Sequence, residues 1–323
     1  MTPRVRVLIT RRLPDAGLAP LREAGLLVDV YDSDEAIPRA ELLRRAAGAE
    51  ALITLMSERV DDELLDAAGP GLKVVANYAV GYDNVDVAAC ARRGVAVTNT
   101  PDVLTDATAD LAFALLLAAA RRLVEGHDLV RSGRWTGWQP GQLLGMPVAE
   151  ATLGLVGMGR IGSAVARRAR GFGMRVLYYG RRRDAAAEAE LGAAYAPLDE
   201  LLRESDFVSV HVPLTPETRH LIGPHELAAM KPTAVLVNTA RGPVVDEAAL
   251  AEALRSGRLF AAGLDVFERE PEVHPDLLGL ANVVLAPHIG SATVAARTDM
   301  ALLCSRAVLD VLAGRTPPNL VRP

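Results

Sequence analysis

Three side chains able to transfer a proton or bind an anion follow predicted strands in the second half of the chain. Arg241 lies in NTARGPVVDE, Glu270 in GLDVFEREP and His288 in LAPHIGSAT. Ligands of open α/β sheets bind at the carboxyl ends of the strands, so all three can meet at one crevice. An imidazole can protonate a carbonyl oxygen, a carboxylate beside it favours the protonated ring, and a guanidinium can hold a carboxylate. Together the three residue types could bind a carboxylate and protonate a carbonyl oxygen beside it.

Each of these residues also has a simpler structural alternative. His288 and Glu270 can be strand-end caps or surface groups, and Arg241 can pair with Asp246 or Glu247. The spacing alone leaves both interpretations open.

A glycine-rich loop supplies a second candidate site. Gly157, Gly159 and Gly162 form G-x-G-x-x-G directly after the apolar run TLGLVG, at the start of a helix predicted to end near Gly171. In a dinucleotide site these glycines permit the tight turn, the approach of the pyrophosphate and close helix packing, with the helix N-terminus facing the anion. The strand before the motif and the helix after it favour this interpretation over a purely structural turn.

The end of the next predicted strand bears on the choice of cofactor. NAD sites place an acidic residue there to bind the ribose hydroxyls. In this chain MRVLYYG ends at Gly180 and is followed by Arg181, Arg182 and Arg183. Guanidinium groups bind phosphates through charge-assisted hydrogen bonds, so Arg181 and Arg182 are predicted to bind a 2′-phosphate. This favours NADPH, with NADH also accepted; the alternative is a solvated basic turn.

The elements that carry these motifs fall into two regions of alternating strands and helices. The first hundred residues contain the apolar runs VRVLIT, LLVDVY, ALITL, LKVVANY and GVAVTN, and the same rhythm restarts at Thr152. Such alternation predicts βα units, and hence an α/β fold with two doubly wound parallel-sheet domains. A continuous helical pattern spans 105–131, and an amphipathic helix is predicted over 293–313.

Composition narrows the class of protein. The chain has 323 residues, enough for two domains, and a net charge of -5 from mixed signs, which disfavours nucleic acid as a partner. Cys90 and Cys304 form no metal-binding pattern, and no run is long and apolar enough to span a bilayer. We therefore expect a cytoplasmic protein that binds a small molecule, without a metal and without a membrane anchor.

Several longer motifs resemble those of a known family. GMGRIG, HVPLTPETR, NTARGPVVDE, GLDVFEREP and PHIGSAT are similar, in order and spacing, to the D-isomer-specific 2-hydroxyacid dehydrogenases over essentially the whole chain. Within that family, TPDVLTDATADLAFALLLAAARR, SGRWTGWQP and GRRR most resemble the glyoxylate/hydroxypyruvate reductases. The resemblance implies catalytic roles for Arg241, Glu270 and His288. It favours Glu270 over Glu268 because Glu270 directly precedes the proline of the family's E-P pattern.

The resemblance also implies how the chain is divided and where ligands bind. A Rossmann nucleotide-binding domain, 99–288, would be inserted into a flavodoxin-like substrate-binding domain formed by 1–98 and 289–323. The backbone N–H groups of Val80 and Gly81 would bind the substrate carboxylate, unless NYAVGYDNVD is an ordinary turn, and 55–57 would line the pocket. Further cofactor contacts would come from Thr105, Arg160, Ile161, His211, Pro213, Thr218 and Asp265, the last near the nicotinamide amide or else a strand-end cap.

The predicted activity follows from these assignments. We expect an NADPH-preferring enzyme that reduces glyoxylate to glycolate and hydroxypyruvate to D-glycerate, with His288 as proton donor. One alternative is another D-2-hydroxyacid dehydrogenase, of the D-lactate or 3-phosphoglycerate type. The other is a non-enzymatic dinucleotide-sensing protein, because fold alone does not determine function. The resemblance further implies a homodimer, with Trp135 and Trp138 near the interface and Trp138 approaching the partner subunit's active site; the alternative is that both tryptophans belong to the local core.

Overall fold

The computed structural model describes residues 5–322, which form two compact units. The second unit spans Thr105–Gly290, and the first contains the described residues before and after it. The strands are, in chain order, β1 (Arg6–Ile9), β2 (Leu27–Val30), β3 (Ala51–Thr54), β4 (Val74–Asn77), β5 (Ala96–Thr98), β6 (Thr152–Val156), β7 (Arg175–Tyr179), β8 (Ala194–Tyr195), β9 (Phe207–Val210), β10 (Val235–Asn238), β11 (Ala261–Leu264), β12 (Val283–Leu285) and β13 (Leu320–Val321). The helices are α1 (Asp15–Glu23), α2 (Arg39–Ala46), α3 (Asp62–Ala68), α4 (Val87–Arg92), α5 (Thr105–Ala120), α6 (Leu123–Arg131), α7 (Arg160–Arg170), α8 (Ala185–Leu191), α9 (Leu198–Glu204), α10 (Pro224–Ala229), α11 (Glu247–Arg255), α12 (Pro275–Leu278) and α13 (Val294–Leu312).

The sheet of the first unit has the strand order β2-β1-β3-β4-β5-β13. Strands β1 to β5 pair in parallel, and the order 2-1-3-4-5 is that of flavodoxin-like sheets. Every residue of β3 and β4 is buried, as expected for central parallel strands covered by helices on both faces. At the edge, β13 pairs antiparallel with β5 through Leu320 and Thr98, which departs from the predicted all-parallel arrangement.

The predicted C-terminal helix is present as α13 and belongs to the first unit. Thr293 caps its start, since its hydroxyl accepts the N–H of Ala296 at 3.1 Å. The helix packs on α1 and β4. Gly17 of α1 permits this contact, because a Cβ there would lie 2.2 Å from the Cβ of Ala301.

The sheet of the second unit has the order β8-β7-β6-β9-β10-β11-β12, and all its pairings are parallel. Renumbered within the unit, the order begins 3-2-1-4-5-6, that of a Rossmann sheet. Helix α5 lies on β10 and β11, where Gly263 allows Leu115 to approach. The predicted fold class, two doubly wound α/β domains, is confirmed.

The continuous helix predicted over 105–131 is wrong, because the structure divides it into α5 and α6. Arg122 separates them in the left-handed conformation, with φ 51°, and its guanidinium binds Glu125 through two hydrogen bonds of 2.9 and 2.7 Å. The carbonyl of Ala120 accepts the N–H of Met146 at 2.9 Å. A loop distant in sequence thus satisfies the end of α5, and no Gly or Pro marks the break.

Residues 5–322 contain neither a membrane-spanning helix nor a cluster of potential metal ligands. No helix there is long and apolar enough to cross a membrane. No group of three or more His, Cys, Asp or Glu side chains in that range can hold a metal ion.

Candidate active site

The glycine loop connects β6 to α7 in the geometry that a dinucleotide requires. Gly157 has φ 108°, and a Cβ on it would lie 2.7 Å from the carbonyl oxygen of His211. A Cβ on Gly162 would lie 2.2 Å from the carbonyl oxygen of Gly157, so this glycine lets α7 pack against the loop. A Cβ on Gly159 would meet no atom of the described residues within 4 Å, which leaves open space above the loop.

The start of α7 suits an anion. Gly159 is its N-cap and supplies no side-chain cap, and the first turn, from Arg160 through Ile161, contains no acidic residue. The N–H groups of a helix's first turn point outward and carry the positive end of the helix dipole. The loop and this helix terminus therefore fit the pyrophosphate of a nicotinamide dinucleotide.

The three arginines in the turn after β7 have two different environments. Arg183 binds Glu188 through two hydrogen bonds of 2.7 and 2.9 Å, and Tyr178 donates to the same carboxylate at 2.8 Å. Arg181 and Arg182 are exposed and make no side-chain hydrogen bond or ion pair within residues 5–322. Arg181 and Arg182 therefore face solvent, where an anion can reach them. A hydrogen bond from Thr215 lowers the pKa of Glu217, and the charge of Arg181 adds to this effect. Arg183 stabilises the turn through Glu188.

The segment after β9 contains three of the predicted cofactor contacts. The imidazole Nε2 of His211 lies 2.8 Å from the hydroxyl of Ser209, and burial lowers the pKa of His211 to about 4, so the ring is neutral at pH 7. The hydroxyl of Thr218 donates to the carbonyl of Pro213 at 2.7 Å and accepts the N–H of Thr215 at 2.8 Å. Thr218 thus closes the turn that begins at Pro213.

Asp265 and Thr105 occupy element ends in the second unit. Asp265 follows β11, and its buried carboxylate accepts the N–H groups of Ile289 at 2.7 Å and Gly290 at 2.8 Å. Burial raises the pKa of Asp265, and these two hydrogen bonds offset part of the rise. The carboxylate thereby holds the turn that contains His288. Thr105 is the first residue of α5 and is partly exposed.

The structure brings Glu270 and His288 together as a hydrogen-bonded pair. The imidazole Nδ1 lies 2.7 Å from Glu270 Oε2, and the other oxygen, Oε1, accepts the N–H of Phe267 at 3.0 Å. Burial raises the pKa of Glu270, but its hydrogen bond to His288, the His288 and Arg241 charges and the Phe267 N–H together lower it. The carboxylate is therefore ionised at neutral pH and faces the imidazole.

Arg241 follows β10 and precedes the 3₁₀ turn Gly242–Val244. Its carbonyl accepts the side-chain amide of Asn238 at 2.9 Å. Gly242 packs against the backbone of Phe267, since a Cβ there would lie 1.9 Å from the Phe267 carbonyl carbon. The segment carrying Arg241 is thus in backbone contact with the segment carrying Glu270.

Two carboxylates that the motifs did not single out brace the same segments. The N–H of Glu247 donates to the carboxylate of Glu268 at 2.9 Å, and the N–H of Glu268 donates to the carboxylate of Glu247 at 2.7 Å. The imidazole Nε2 of His220 also lies 3.2 Å from Glu268. These contacts join residues 21 or 48 positions apart, so local sequence patterns gave no signal for them.

The predicted carboxylate-binding turn lies in the first unit, after β4. The side chain of Asn77 donates to the carbonyl of Gly81 at 2.9 Å, and that of Asn99 donates to the carbonyl of Val80 at 2.8 Å. The N–H groups of Val80 and Gly81 have no hydrogen-bond acceptor among residues 5–322. The turn thus has its carbonyls fixed and two donors available for an anion.

Comparison with known proteins identifies the class. Residues 113–290 match the model of the D-isomer specific 2-hydroxyacid dehydrogenase NAD-binding domain. The chain is 55% identical over 320 residues to a glyoxylate reductase of Thermococcus onnurineus, covering 98% of this chain and 95% of that protein. A glyoxylate reductase structure from Paecilomyes thermophila shares 36% identity with a TM-score of 0.87, covering 99% of both chains. An NADPH-dependent glyoxylate/hydroxypyruvate reductase from Sinorhizobium meliloti, in complex with NADP and malonate, shares 37% identity with a TM-score of 0.87, covering 99% and 97%.

The chain therefore belongs to the D-isomer specific 2-hydroxyacid dehydrogenase family, as its motifs predicted. It is an oxidoreductase that depends on a nicotinamide dinucleotide.

Proposed function

We propose that this protein is an NADPH-preferring reductase of small 2-keto acids, forming glycolate from glyoxylate and D-glycerate from hydroxypyruvate. The observation that carries the proposal is the 2.7 Å pair between Glu270 and His288 at the ends of two parallel strands. Relatives at 55% identity bear the name glyoxylate reductase, which supports the substrate class. The S. meliloti relative is described as NADPH-dependent and active on both substrates, which supports the finer assignment.

His288 acts as the proton donor in this proposal. Because its Nδ1 faces Glu270, its Nε2 is the nitrogen left for the substrate oxygen. Donation of that proton prevents a full negative charge from developing on the oxygen as the keto group is reduced. Glu270 holds the ring in this orientation and stabilises its protonated form, as a carboxylate does for a neighbouring imidazole.

The substrate carboxylate is proposed to bind two kinds of donor. Arg241 offers paired N–H groups suited to a carboxylate and polarises the adjacent keto oxygen. The N–H groups of Val80 and Gly81, in the first unit, are proposed as neutral donors to a carboxylate. We assign the dinucleotide to the second unit.

The dinucleotide supplies the hydride when it is bound. The glycine loop and the first turn of α7 are proposed to bind the pyrophosphate of the dinucleotide. Arg181 and Arg182 bind the 2′-phosphate, and this role is supported by their exposure and by the absence of a carboxylate at the end of β7. Other contacts are assigned to Thr105, Arg160, Ile161, His211, Pro213, Thr218 and Asp265.

A homodimer is proposed from the surface around α6. Leu123, Val130, Trp138 and Leu144 are exposed apolar side chains within 22 residues of sequence, and Trp138 is 82% exposed. A concentration of large exposed apolar side chains in one segment is typical of protein interfaces. Light scattering on the purified protein tests the proposal, with Leu123→Asp expected to give monomers.

Steady-state kinetics test the proposed activity directly. We expect hydroxypyruvate and glyoxylate to be reduced with a higher kcat/KM for NADPH than for NADH, and His288→Ala to lower turnover by about a hundredfold or more. Arg181→Ala and Arg182→Ala should raise KM for NADPH and leave KM for NADH unchanged. Arg183→Ala is the matched control, because its guanidinium is engaged by Glu188.

The alternatives give different results in the same assays. Preferential turnover of pyruvate or of a phosphorylated keto acid would identify a D-lactate or 3-phosphoglycerate type of dehydrogenase. Binding of dinucleotide without turnover of any 2-keto acid would identify a sensor. Equal loss of NADH and NADPH affinity in Arg181→Ala would contradict the 2′-phosphate assignment.

A further inference from the structure

A buried polar cluster lies at the carboxyl ends of β1 and β3 in the first unit. Its centre is the carboxylate of Glu58, whose side chain is only 2% exposed. That carboxylate accepts the hydroxyl of Thr10 at 2.6 Å, the N–H of Leu55 at 2.6 Å and the hydroxyl of Ser57 at 2.5 Å. Arg11 completes the set at 3.3 Å. We refer to these residues as the Glu58 cluster.

The cluster fixes the segment 55–57, which follows β3. A carboxylate is buried only where donors replace its lost hydration, and here two of the four donors belong to 55–57 itself. Thr10 follows β1, so the other side of the carboxylate is anchored to a strand end. Arg11 also donates to the hydroxyl of Ser57 at 2.8 Å. The segment is thereby held to the sheet by side-chain contacts rather than by strand pairing.

Asn84 extends the cluster to the turn with the two available N–H donors. Its side-chain amide lies 3.0 Å from the carbonyl of Leu55, 2.9 Å from the carbonyl of Glu58 and 3.2 Å from the side-chain oxygen of Asn77. Asn77 in turn donates to the carbonyl of Gly81 at 2.9 Å. The Glu58 carboxylate thus fixes the backbone of Leu55, and Asn84 and Asn77 connect the Leu55 carbonyl to the Val80–Gly81 turn.

We propose that Glu58 is a positioning residue for the keto acid: it holds 55–57 and, through Asn84 and Asn77, the Val80–Gly81 turn in the arrangement that binds substrate. The inference rests on the proposed function, because it assumes that this turn binds the substrate carboxylate. Glu58 does not contact the reacting atoms. Its loss therefore weakens substrate binding more than the chemical step, and leaves dinucleotide binding, which we assign to the second unit, unchanged.

Substitution of Glu58 separates geometry from charge. Glu58→Gln removes one negative charge and leaves the Arg11 cation less compensated. A purely electrostatic effect would attract an anionic keto acid and lower its KM. Loss of positioning predicts a higher KM instead. An amide accepts hydrogen bonds only through its oxygen, so the donors on one side of Glu58 would lose their acceptor and that side of the segment would be released. The two explanations thus differ in sign.

The experiment compares Glu58→Gln and Asn84→Ala with the wild-type protein. We expect KM for hydroxypyruvate or glyoxylate to rise about tenfold in each, with kcat changed less than about threefold, from the loss of one or two hydrogen bonds. The Kd for NADPH, measured by fluorescence quenching, should not change. Glu50→Gln is the matched control, since Glu50 directly precedes the same strand and pairs with Lys73 at 3.1 Å.

Each outcome decides between the proposals. A KM that falls in Glu58→Gln, or rises no more than in Glu50→Gln, overturns the positioning role. Parallel losses in kcat, NADPH affinity and thermal midpoint also overturn it, because they indicate only a structural role. Should Glu58→Gln fail to fold, the neutral change at the partly exposed Asn84 provides the same comparison. A wild-type protein that reduces no 2-keto acid overturns the proposed function and this inference with it.

Discussion

Replacement of Glu270 by Gln tests the proton donor through the group that orients it. The wild-type carboxylate has a lowered pKa, so it stays ionised from alkaline pH down to below about 4.5 and acts on His288 across the whole assay range. Glutamine keeps the size of the side chain and can still accept one hydrogen bond, but it lacks the negative charge. The protonated imidazole is then less favoured than in the wild-type protein.

The contact geometry sets the magnitude. Hydrogen bonds to charged groups contribute about 1.5–3 kcal/mol. The 2.7 Å separation is short, but the side chains of His288 and Glu270 are 26% and 35% exposed, which favours the lower end of that range. A loss of about 1.5 kcal/mol corresponds to about tenfold in rate.

The assay is the pH dependence of kcat/KM in both reaction directions. Reduction needs the protonated ring and oxidation needs the neutral ring, so loss of the Glu270 charge in Glu270→Gln should move both profiles to lower pH. General damage to the site would lower the rates at every pH without moving the profiles. Glu272→Gln, an exposed carboxylate in the same segment, is the control. Profiles that stay in place, or move to higher pH, would refute the assigned role of Glu270.

Three further predictions concern the dinucleotide site, protein stability and substrate binding. Gly159→Ala should fold normally, because its Cβ would meet no atom of the described residues. It should weaken dinucleotide binding, because the Cβ would occupy space that we assign to the pyrophosphate. Gly162→Ala should lower the thermal midpoint, because its Cβ meets the carbonyl of Gly157. The pKa of His211 is lowered from 6.5 to about 4, so its contribution to stability is complete above pH 6.5 and is lost as pH falls to about 4. The free energy of unfolding should drop by about 2 kcal/mol more across that range in wild-type protein than in His211→Asn, allowing for partial exposure of the ring. Arg241→Lys should reduce kcat/KM by about a hundredfold, because an ammonium cannot make the paired hydrogen bonds of a guanidinium.

The features predictable from sequence were those encoded by neighbouring residues. The motif of Gly157, Gly159 and Gly162 lies between a strand and a helix, and the structure reproduces that context because a side chain at Gly157 or Gly162 would collide with neighbouring backbone. The alternation of apolar runs likewise predicts two parallel sheets. The break at Arg122 was not predictable, since a distant loop, through Met146, satisfies the carbonyl that ends α5.

The Glu58 cluster was hidden from sequence for a related reason. Its four donors come from two segments separated by more than forty residues, and a single Glu in SERVDD has no local pattern that distinguishes it from a surface carboxylate. Its burial distinguishes Glu58 from a surface carboxylate, because a carboxylate removed from water needs hydrogen-bond donors around it. Only the three-dimensional arrangement supplies that information.

Strand order and buried carboxylates together position the three candidate catalytic segments of the second unit. Arg241, Glu270 and His288 follow β10, β11 and β12, which are neighbours in one parallel sheet, so their order along the chain places their segments side by side. Strand pairing alone does not fix the loops beyond the strand ends. Backbone N–H groups donated to the carboxylates of Asp265, Glu247 and Glu268 do so, and none of these contacts depends on the group that transfers the proton. Substitution of His288 should therefore abolish proton donation while leaving the loops, and hence dinucleotide affinity, intact.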